Sequence, residues 1–137
     1  MPLAVTESEI RDLLAGTPFT RGFGFRVRAI AGGTCTLDVP YQEAFERPGG
    51  IVSGQVFMAA ADVAMWLAIM TRLGKEDMSV TAGMTTAFLH PAAREDFRCT
   101  ASILKLGRRL VHGVAECLNG AGKLLTHHTI TYMRPTG

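Results

Sequence analysis

The chain has 137 residues, of which 47% are hydrophobic and 19% are charged, and its formal net charge is +2. This length accommodates one domain with a full core, and the composition excludes a disordered chain. The small net charge, and a longest basic run of only Arg108-Arg109, argue against nucleic acid as a partner. We therefore predict a single folded domain over residues 1–137.

The first predicted element is a short helix over residues 6–15. Thr6 and Glu9 have the spacing of a capping box, and Gly16 follows as a stop signal. The residues before this helix lack the basic and apolar regions of a secretion signal, so we expect a cytoplasmic protein without a membrane partner. The odd number of cysteines without CxxC spacing fits a reducing compartment and ordinary packing; they are Cys35, Cys99 and Cys117.

The next predicted elements are a β-hairpin and a long helix. Residues 25–30 and 34–40 alternate apolar and polar side chains around Gly32-Gly33, which is typical of a hairpin. Residues 53–71 contain no proline and are rich in Ala, Met and Leu, which favours a helix over a strand. Because this helix is apolar nearly all round but is interrupted by a carboxylate, we expect a buried helix and no membrane span.

Four β segments follow the long helix. They are residues 78–90, 97–106, 109–118 and 124–133. Their connections are short and turn-like, which predicts an antiparallel meander. One curved antiparallel sheet wrapped around a long central helix satisfies this order and buries the helix, so the predicted fold class is α+β.

Asp62 is the strongest candidate for a functional residue, because it places a carboxylate in the middle of the apolar helix. The side chains three and four positions away from it are all apolar. A buried carboxylate without a partner is costly, and one interpretation pairs it with Arg47 or Arg72. Since perturbed carboxylates concentrate at active sites, we interpret Asp62 as a candidate catalytic residue.

The start of the same helix is a second candidate site. Ser53 is a good N-cap residue, and Gly54 allows a substrate to approach the first free N–H groups of the helix. Such donors, aided by the helix dipole, can bind an anion or stabilise an oxyanion. A flexible loop followed by a cap would show the same pattern.

The spacing of these two features predicts a dimer. Ser53 and Asp62 are nine residues apart, which corresponds to about 13 Å along a helix. One reacting carbonyl cannot touch both in the same chain, so two antiparallel copies of the helix would have to meet across a two-fold axis and share active sites. Five alanines would permit a close approach but equally suit packing against a sheet: Ala59, Ala60, Ala61, Ala64 and Ala68.

Threonines on the following strand are weaker candidates. Thr81 and Thr85 are expected on one strand face, with Gly83 between them, so that this face could line a polar cleft. Threonine is also common in strands because of its β propensity alone. The same segment contains a third threonine, Thr86.

The four histidines predict no metal site. His127 and His128 are adjacent on a strand and therefore point to opposite faces. His90 and His112 lie on different strands, with no carboxylate or cysteine at ligand spacing.

Three stretches in series resemble the hotdog-fold acyl-CoA thioesterases. They are GGIVSGQVFMAAADVAM (49–65), SVTAGMTTAFLHPA (79–92) and LKLGRRL (104–110). The likeness covers about residues 20–134 and is greatest to the PaaI-type branch of phenylacetic acid degradation, which is related to the 4-hydroxybenzoyl-CoA thioesterases. It implies a hotdog fold, hydrolysis of an acyl-CoA, and a homotetramer built as a dimer of dimers.

The resemblance also implies roles for individual residues. In that family the helix begins with His-Gly-Gly, and an acidic residue stands nine positions after the His. Ser53, Gly54 and Gln55 occupy the motif here, and Asp62 occupies the acidic position. By this likeness Asp62 is general base or nucleophile, and the N–H near Gly54 polarises the thioester carbonyl. Thr81 falls where relatives carry a Ser or Thr that positions the attacking water or the carboxylate.

Binding of coenzyme A is implied for a second group of residues. The turn Gly107-Arg108-Arg109 resembles the family's Gly-Arg hairpin, whose arginines could bind the phosphates of coenzyme A. Arg47 falls near an Asn that some relatives carry upstream of the helix. No cofactor is implied, because coenzyme A arrives as part of the substrate.

Ser53 is the main departure from the family pattern, because it replaces the His. A serine can still donate a hydrogen bond, so we predict a thioesterase for a small aryl or a short- to medium-chain acyl-CoA. The alternatives are a non-catalytic acyl-CoA-binding hotdog protein and an enoyl-CoA hydratase or dehydratase, which needs a His beside Asp62.

Overall fold

The computed structural model describes residues 2–135, which form three helices and eight strands. The helices are α1 Glu7–Gly16, α2 Pro18–Arg21 and α3 Gly54–Leu73. The strands are β1 Arg26–Ala31, β2 Thr34–Val39, β3 Glu46–Arg47, β4 Ile51–Val52, β5 Val80–Phe88, β6 Phe97–Leu106, β7 Leu110–Asn119 and β8 Leu124–Met133. A 3₁₀ turn over Glu43–Phe45 precedes the small β3–β4 hairpin.

Six strands form one antiparallel sheet that wraps around α3, as expected. The spatial order is β1-β2-β6-β7-β8-β5. The expected meander is correct for β6, β7 and β8 but wrong for β5, which pairs with β8 at the far edge. The reason lies in residues 89–96, which are tied to the entrance of α3 by a bond from Val52 N–H to the Ala92 carbonyl (2.9 Å). Residues 89–96 therefore connect β5 to the non-adjacent strand β6 and do not form a hairpin turn.

The long helix α3 is the core of the protein. Twelve of its residues are buried; they are Val56, Phe57, Ala60, Ala61, Val63, Ala64, Met65, Leu67, Ala68, Ile69, Met70 and Thr71. The helix has the length and hydropathy of a membrane span, but 67% of the relevant window is buried inside the sheet. Its apolar surface is thus explained by packing within the fold.

The N-terminal helices close one end of the sheet. The predicted capping box is confirmed: the Thr6 hydroxyl accepts from Glu9 N–H (3.1 Å), and the Glu9 carboxylate accepts from Thr6 N–H (2.9 Å). The sequence did not predict α2, which starts at Pro18, a favourable first helical residue. The hydroxyl of Thr20 donates to the Leu14 carbonyl (2.7 Å) and holds α2 against the end of α1.

The buried polar groups of the sheet are structural. His128 is fully buried, and its two ring nitrogens lie 2.8 Å from the hydroxyls of Thr86 and Thr126. All three cysteines are buried and free, and burial raises the pKa of the Cys35 thiol to about 12. Within residues 2–135 no three His, Cys, Asp or Glu side chains cluster at metal-binding distance.

Gly113 allows α3 to pack directly on β7. A Cβ atom at this position would lie 2.2 Å from Met65 Cε and 2.7 Å from the Ser102 carbonyl oxygen. The methionine could move, but the carbonyl belongs to the neighbouring strand and cannot move without breaking the pairing of β6 with β7.

We expect Gly113→Ala to destabilise the protein by about 1–3 kcal/mol, the scale of overpacking a filled core. Urea denaturation followed by circular dichroism measures the change in free energy of unfolding. Gly120→Ala is the matched control, because no heavy atom lies within 4 Å of a Cβ built there. Equal stabilities for the two variants would contradict this account of the contact between α3 and β7.

Candidate active site

Asp62 lies half-buried in the middle of α3 and is held by two hydroxyl groups. Its Oδ1 accepts hydrogen bonds from Thr81 Oγ1 (2.7 Å) and from the Tyr132 hydroxyl (2.7 Å). The alternative interpretation, in which Asp62 pairs with Arg47 or Arg72, is wrong. Arg72 lies against the β1–β2 turn at Gly33, and Asp62 makes no ion pair with any of residues 2–135.

Tyr132 is the residue of this site that the sequence analysis missed. It stands opposite Thr81 in the pairing of β5 with β8, so both hydroxyls reach the same point on α3. The side chain is only 4% exposed, and burial, together with the nearby Asp62, raises the pKa of Tyr132 well above its usual value. The phenol therefore stays protonated and donates. An inward-facing tyrosine needs a partner for its hydroxyl, and that is the signal that could have identified it.

A β-bulge decides which threonines face the helix. The register of β5 against β8 shifts between Thr81 and Gly83. Thr81 and Thr86 therefore point inward, to Asp62 and His128, while Thr85 pairs with the outward-facing Thr129. The prediction that Thr81 and Thr85 share a face is wrong, because it assumed an uninterrupted alternation along the strand.

A cleft of about 380 Å³ opens beside the Asp62 carboxylate. Asp62, Thr81 and Tyr132 line it on the side of the carboxylate. The other lining residues are Thr17, Phe19, Thr20, Val63, Trp66, Ser79 and Val80, none of which carries a charge. Phe19 projects from the unpredicted helix α2 and is 65% exposed, so this short helix supplies an aromatic wall to the cleft.

The start of α3 presents free backbone donors. Ser53 occupies the N-cap position as predicted, but its side chain does not cap the helix and instead lies 3.3 Å from Gln55 Oε1. Within residues 2–135 the N–H groups of Gly54 and Gln55 have no hydrogen-bond acceptor. The Phe88 ring packs so closely on Gly54 that a Cβ there would lie 2.8 Å from Phe88 Cε1. Gly54 thus permits the close approach of the Phe88 ring, while the approach of a substrate to this position stays a prediction.

One stripe of α3 remains uncovered by the rest of the chain. It consists of Gln55, Met58, Ala59, Asp62 and Trp66, which recur every three or four residues on one helix face. The other four alanines considered for a helix–helix contact are fully buried within the chain. The helix start and the Asp62 carboxylate therefore lie on the same exposed stripe, about 13 Å apart by helix rise.

The arginine turn lies at the same end of the sheet as Asp62, since Val111 pairs with Tyr132. Gly107 N–H donates to the Leu110 carbonyl (2.9 Å) in a tight turn between β6 and β7, and Arg108 and Arg109 are exposed. Arg134, which the sequence analysis did not single out, donates to the Gly107 carbonyl (2.9 Å). Three cationic side chains thus gather at this turn.

Arg47 belongs to a different part of the surface. It is exposed in β3, in the small hairpin that leads into α3. It therefore lies on the approach to the helix start and not at the arginine turn.

Known proteins resemble this chain in sequence and in fold. Residues 49–126 match the sequence model of the thioesterase superfamily. A presumed esterase of Thermoplasma acidophilum is 27% identical over 124 residues, which cover 90% of this chain and 93% of the relative.

Two solved structures show the same architecture. A presumed thioesterase from a Silicibacter species has a TM-score of 0.88 and 30% identity, covering 99% of this chain and 96% of its own. A variant of the phenylacetic acid degradation protein PaaI from Thermus thermophilus has a TM-score of 0.78 and 25% identity, covering 87% of this chain and 100% of its own. Because the family match spans more than half of the sequence and the fold agrees over nearly all of it, the chain belongs to the thioesterase superfamily and is a hotdog-fold hydrolase.

Proposed function

We propose that this protein hydrolyses the thioester of a small aryl or short- to medium-chain acyl-CoA, with Asp62 as the general base. The observation that carries the proposal is the placement of the Asp62 carboxylate. It is held by two hydroxyls at the edge of a largely apolar cleft, on the same helix stripe as Gln55. Within residues 2–135 the N–H groups of Gly54 and Gln55 at the start of this helix are unbonded. A base and an oxyanion site are the two groups that acyl transfer to water requires.

Each active site is proposed to combine two chains. Helix rise separates the amides from the carboxylate by about 13 Å in one chain, so a single carbonyl reaches both only across a two-fold axis. The edge strand β5 supports this arrangement. It spans nine residues without a charge or a proline, pairs only with β8, and exposes Val80 (61%) and Phe88 (57%). An unprotected edge of this kind is suited to pairing with a second copy.

The chemistry balances with water as the only co-substrate. Asp62 takes a proton from water while the water oxygen forms a bond to the thioester carbon. Negative charge that develops on the carbonyl oxygen is stabilised by the partner chain's helix start. The carbon–sulfur bond then breaks, the proton passes to the thiolate, and a free acid and coenzyme A leave. The reaction needs no cofactor, since coenzyme A belongs to the substrate.

The two ends of the substrate are assigned to different surfaces. The acyl group is proposed to enter the cleft between Phe19 and Trp66, where the absence of any lining charge besides Asp62 within the described residues suits an uncharged acyl chain. Of the other apolar candidates, Phe57 and Met65 are buried core residues. The phosphates of coenzyme A are proposed to bind Arg108 and Arg109, since exposed guanidinium groups pair well with phosphate.

We further propose a dimer of dimers and a cytoplasmic location. A dimer of dimers is testable by light scattering, and a cytoplasmic location by fractionation. Among residues 2–135, no histidine hydrogen-bonds to Asp62 or lines its cleft, so the hydratase alternative gains no support. The non-catalytic alternative rests on Ser53, whose hydroxyl is directed at its own neighbour Gln55.

Asp62→Asn is expected to lower turnover by on the order of a hundredfold or more, because the amide cannot accept the proton from water. Release of thiol is measured with DTNB over a panel of short, long and aromatic acyl-CoAs. Asp12→Asn on the exposed face of α1 is the matched control and is expected to behave as the parent. Saturable calorimetric binding without thiol release from the parent would favour the non-catalytic alternative instead.

Gly54→Pro tests the amide at the helix start. Proline is well accepted at the first helical position but has no N–H, so the oxyanion loses one donor. Gly54→Ala adds a Cβ against Phe88 but keeps the N–H, and it therefore separates steric effects from loss of the donor. We expect kcat of the proline variant to fall below that of the alanine variant by on the order of a hundredfold. Equal kcat values for the two variants would show that this amide takes no part.

A further inference from the structure

The two oxygens of the Asp62 carboxylate have different surroundings. Thr81 Oγ1 and the Tyr132 hydroxyl both lie 2.7 Å from Oδ1. Over residues 2–135 no hydrogen bond or ion pair reaches Oδ2. Hydrogen bonds to a carboxylate oxygen stabilise its negative charge and make that oxygen a weaker proton acceptor. The free oxygen is therefore the better base.

The Tyr132 hydroxyl also reaches the main chain of the same residue. It lies 2.9 Å from the Asp62 carbonyl oxygen, in addition to its contact with Oδ1. One phenol therefore contacts both the backbone and the side chain of Asp62, which restricts rotation of the carboxylate. Tyr132 is itself anchored, because it is 4% exposed and lies near the end of β8, where it is paired on both sides with Thr81 and Val111.

We propose that Tyr132 is a positioning residue of the thioesterase reaction, which holds Asp62 by Oδ1 and its carbonyl so that Oδ2 takes the proton from water. This inference rests on the function proposed above. Thr81 also donates a hydrogen bond to Oδ1, but of these two residues only Tyr132 also contacts the backbone of the helix.

Few other ionisable groups surround this contact. From the loop before β5, the charge of Asp77 acts on Tyr132, and Asp77 itself accepts from the Ser79 hydroxyl (2.9 Å). The cleft residues supplied by α2, by the rest of α3 and by β5 carry no ionisable side chain. Removal of the phenol hydroxyl therefore alters the surroundings of one carboxylate of this cleft, Asp62.

Tyr132→Phe removes the hydroxyl and keeps the ring. We expect kcat to fall by on the order of tenfold with little change in KM, the scale of one hydrogen bond to a charged group. Tyr41→Phe is the matched control, since the other tyrosine of the chain donates to Glu46 away from the cleft, and it should match the parent.

Carbon-13 NMR tests the contact without turnover. The Tyr132 Cζ resonance of the parent should differ from that of Asp62→Asn, because the phenol loses its carboxylate acceptor. If Tyr132→Phe keeps the parent's kcat and KM and the Tyr132 Cζ resonance does not respond to Asp62→Asn, while Asp62→Asn is inactive, the inference about Tyr132 is overturned and the proposed function stands. If Asp62→Asn is as active as the parent, the proposed function fails, and the role of Tyr132 fails with it.

Discussion

The hydrogen bonds that Thr81 and Tyr132 donate to Asp62 are the interaction on which the candidate site depends. They resolve the problem of a carboxylate on an otherwise apolar core helix, because two hydroxyls replace part of the water that the charge loses. They also connect α3 to strands β5 and β8, so the geometry of the site is that of the fold itself. A free Oδ2 beside an uncharged cleft is the chemical consequence.

The same helix explains why the protein is proposed to act as a pair. Most of α3 is covered by the rest of the chain, and its exposed stripe carries Gln55 and the Asp62 carboxylate, next to the unbonded amides of the helix start. Burial of the stripe and pairing of the β5 edge with a second copy would cover both surfaces in one contact. In the proposed mechanism this contact has a chemical role, because it brings the carboxylate of one chain to the helix start of the other.

Much of the fold could be predicted from the sequence, because capping, periodicity and turn residues are local signals. Thr6 and Glu9, the long helix and the four late β segments were found in this way. The position of β5 in the sheet could not be predicted from the sequence. It depends on the crossover, which is held by the hydrogen bond from Val52 N–H to the Ala92 carbonyl, a contact between distant parts of the chain. The same holds for the candidate site, because Asp62 and Gly54 could be identified from local sequence signals. Tyr132 and the inward face of Thr81 required the strand pairing and its bulge.

The central claim is that Asp62 and the start of α3 act on one substrate from different chains. Mixing Asp62→Asn with Gly54→Pro chains and allowing subunits to exchange tests this directly. Each mixed dimer would contain one doubly altered site and one intact site, so an equal mixture should recover roughly a quarter of the parent's acyl-CoA hydrolysis. No recovery beyond the activity of the separate variants, with subunit exchange verified, would contradict the account and place both groups of each site in a single chain.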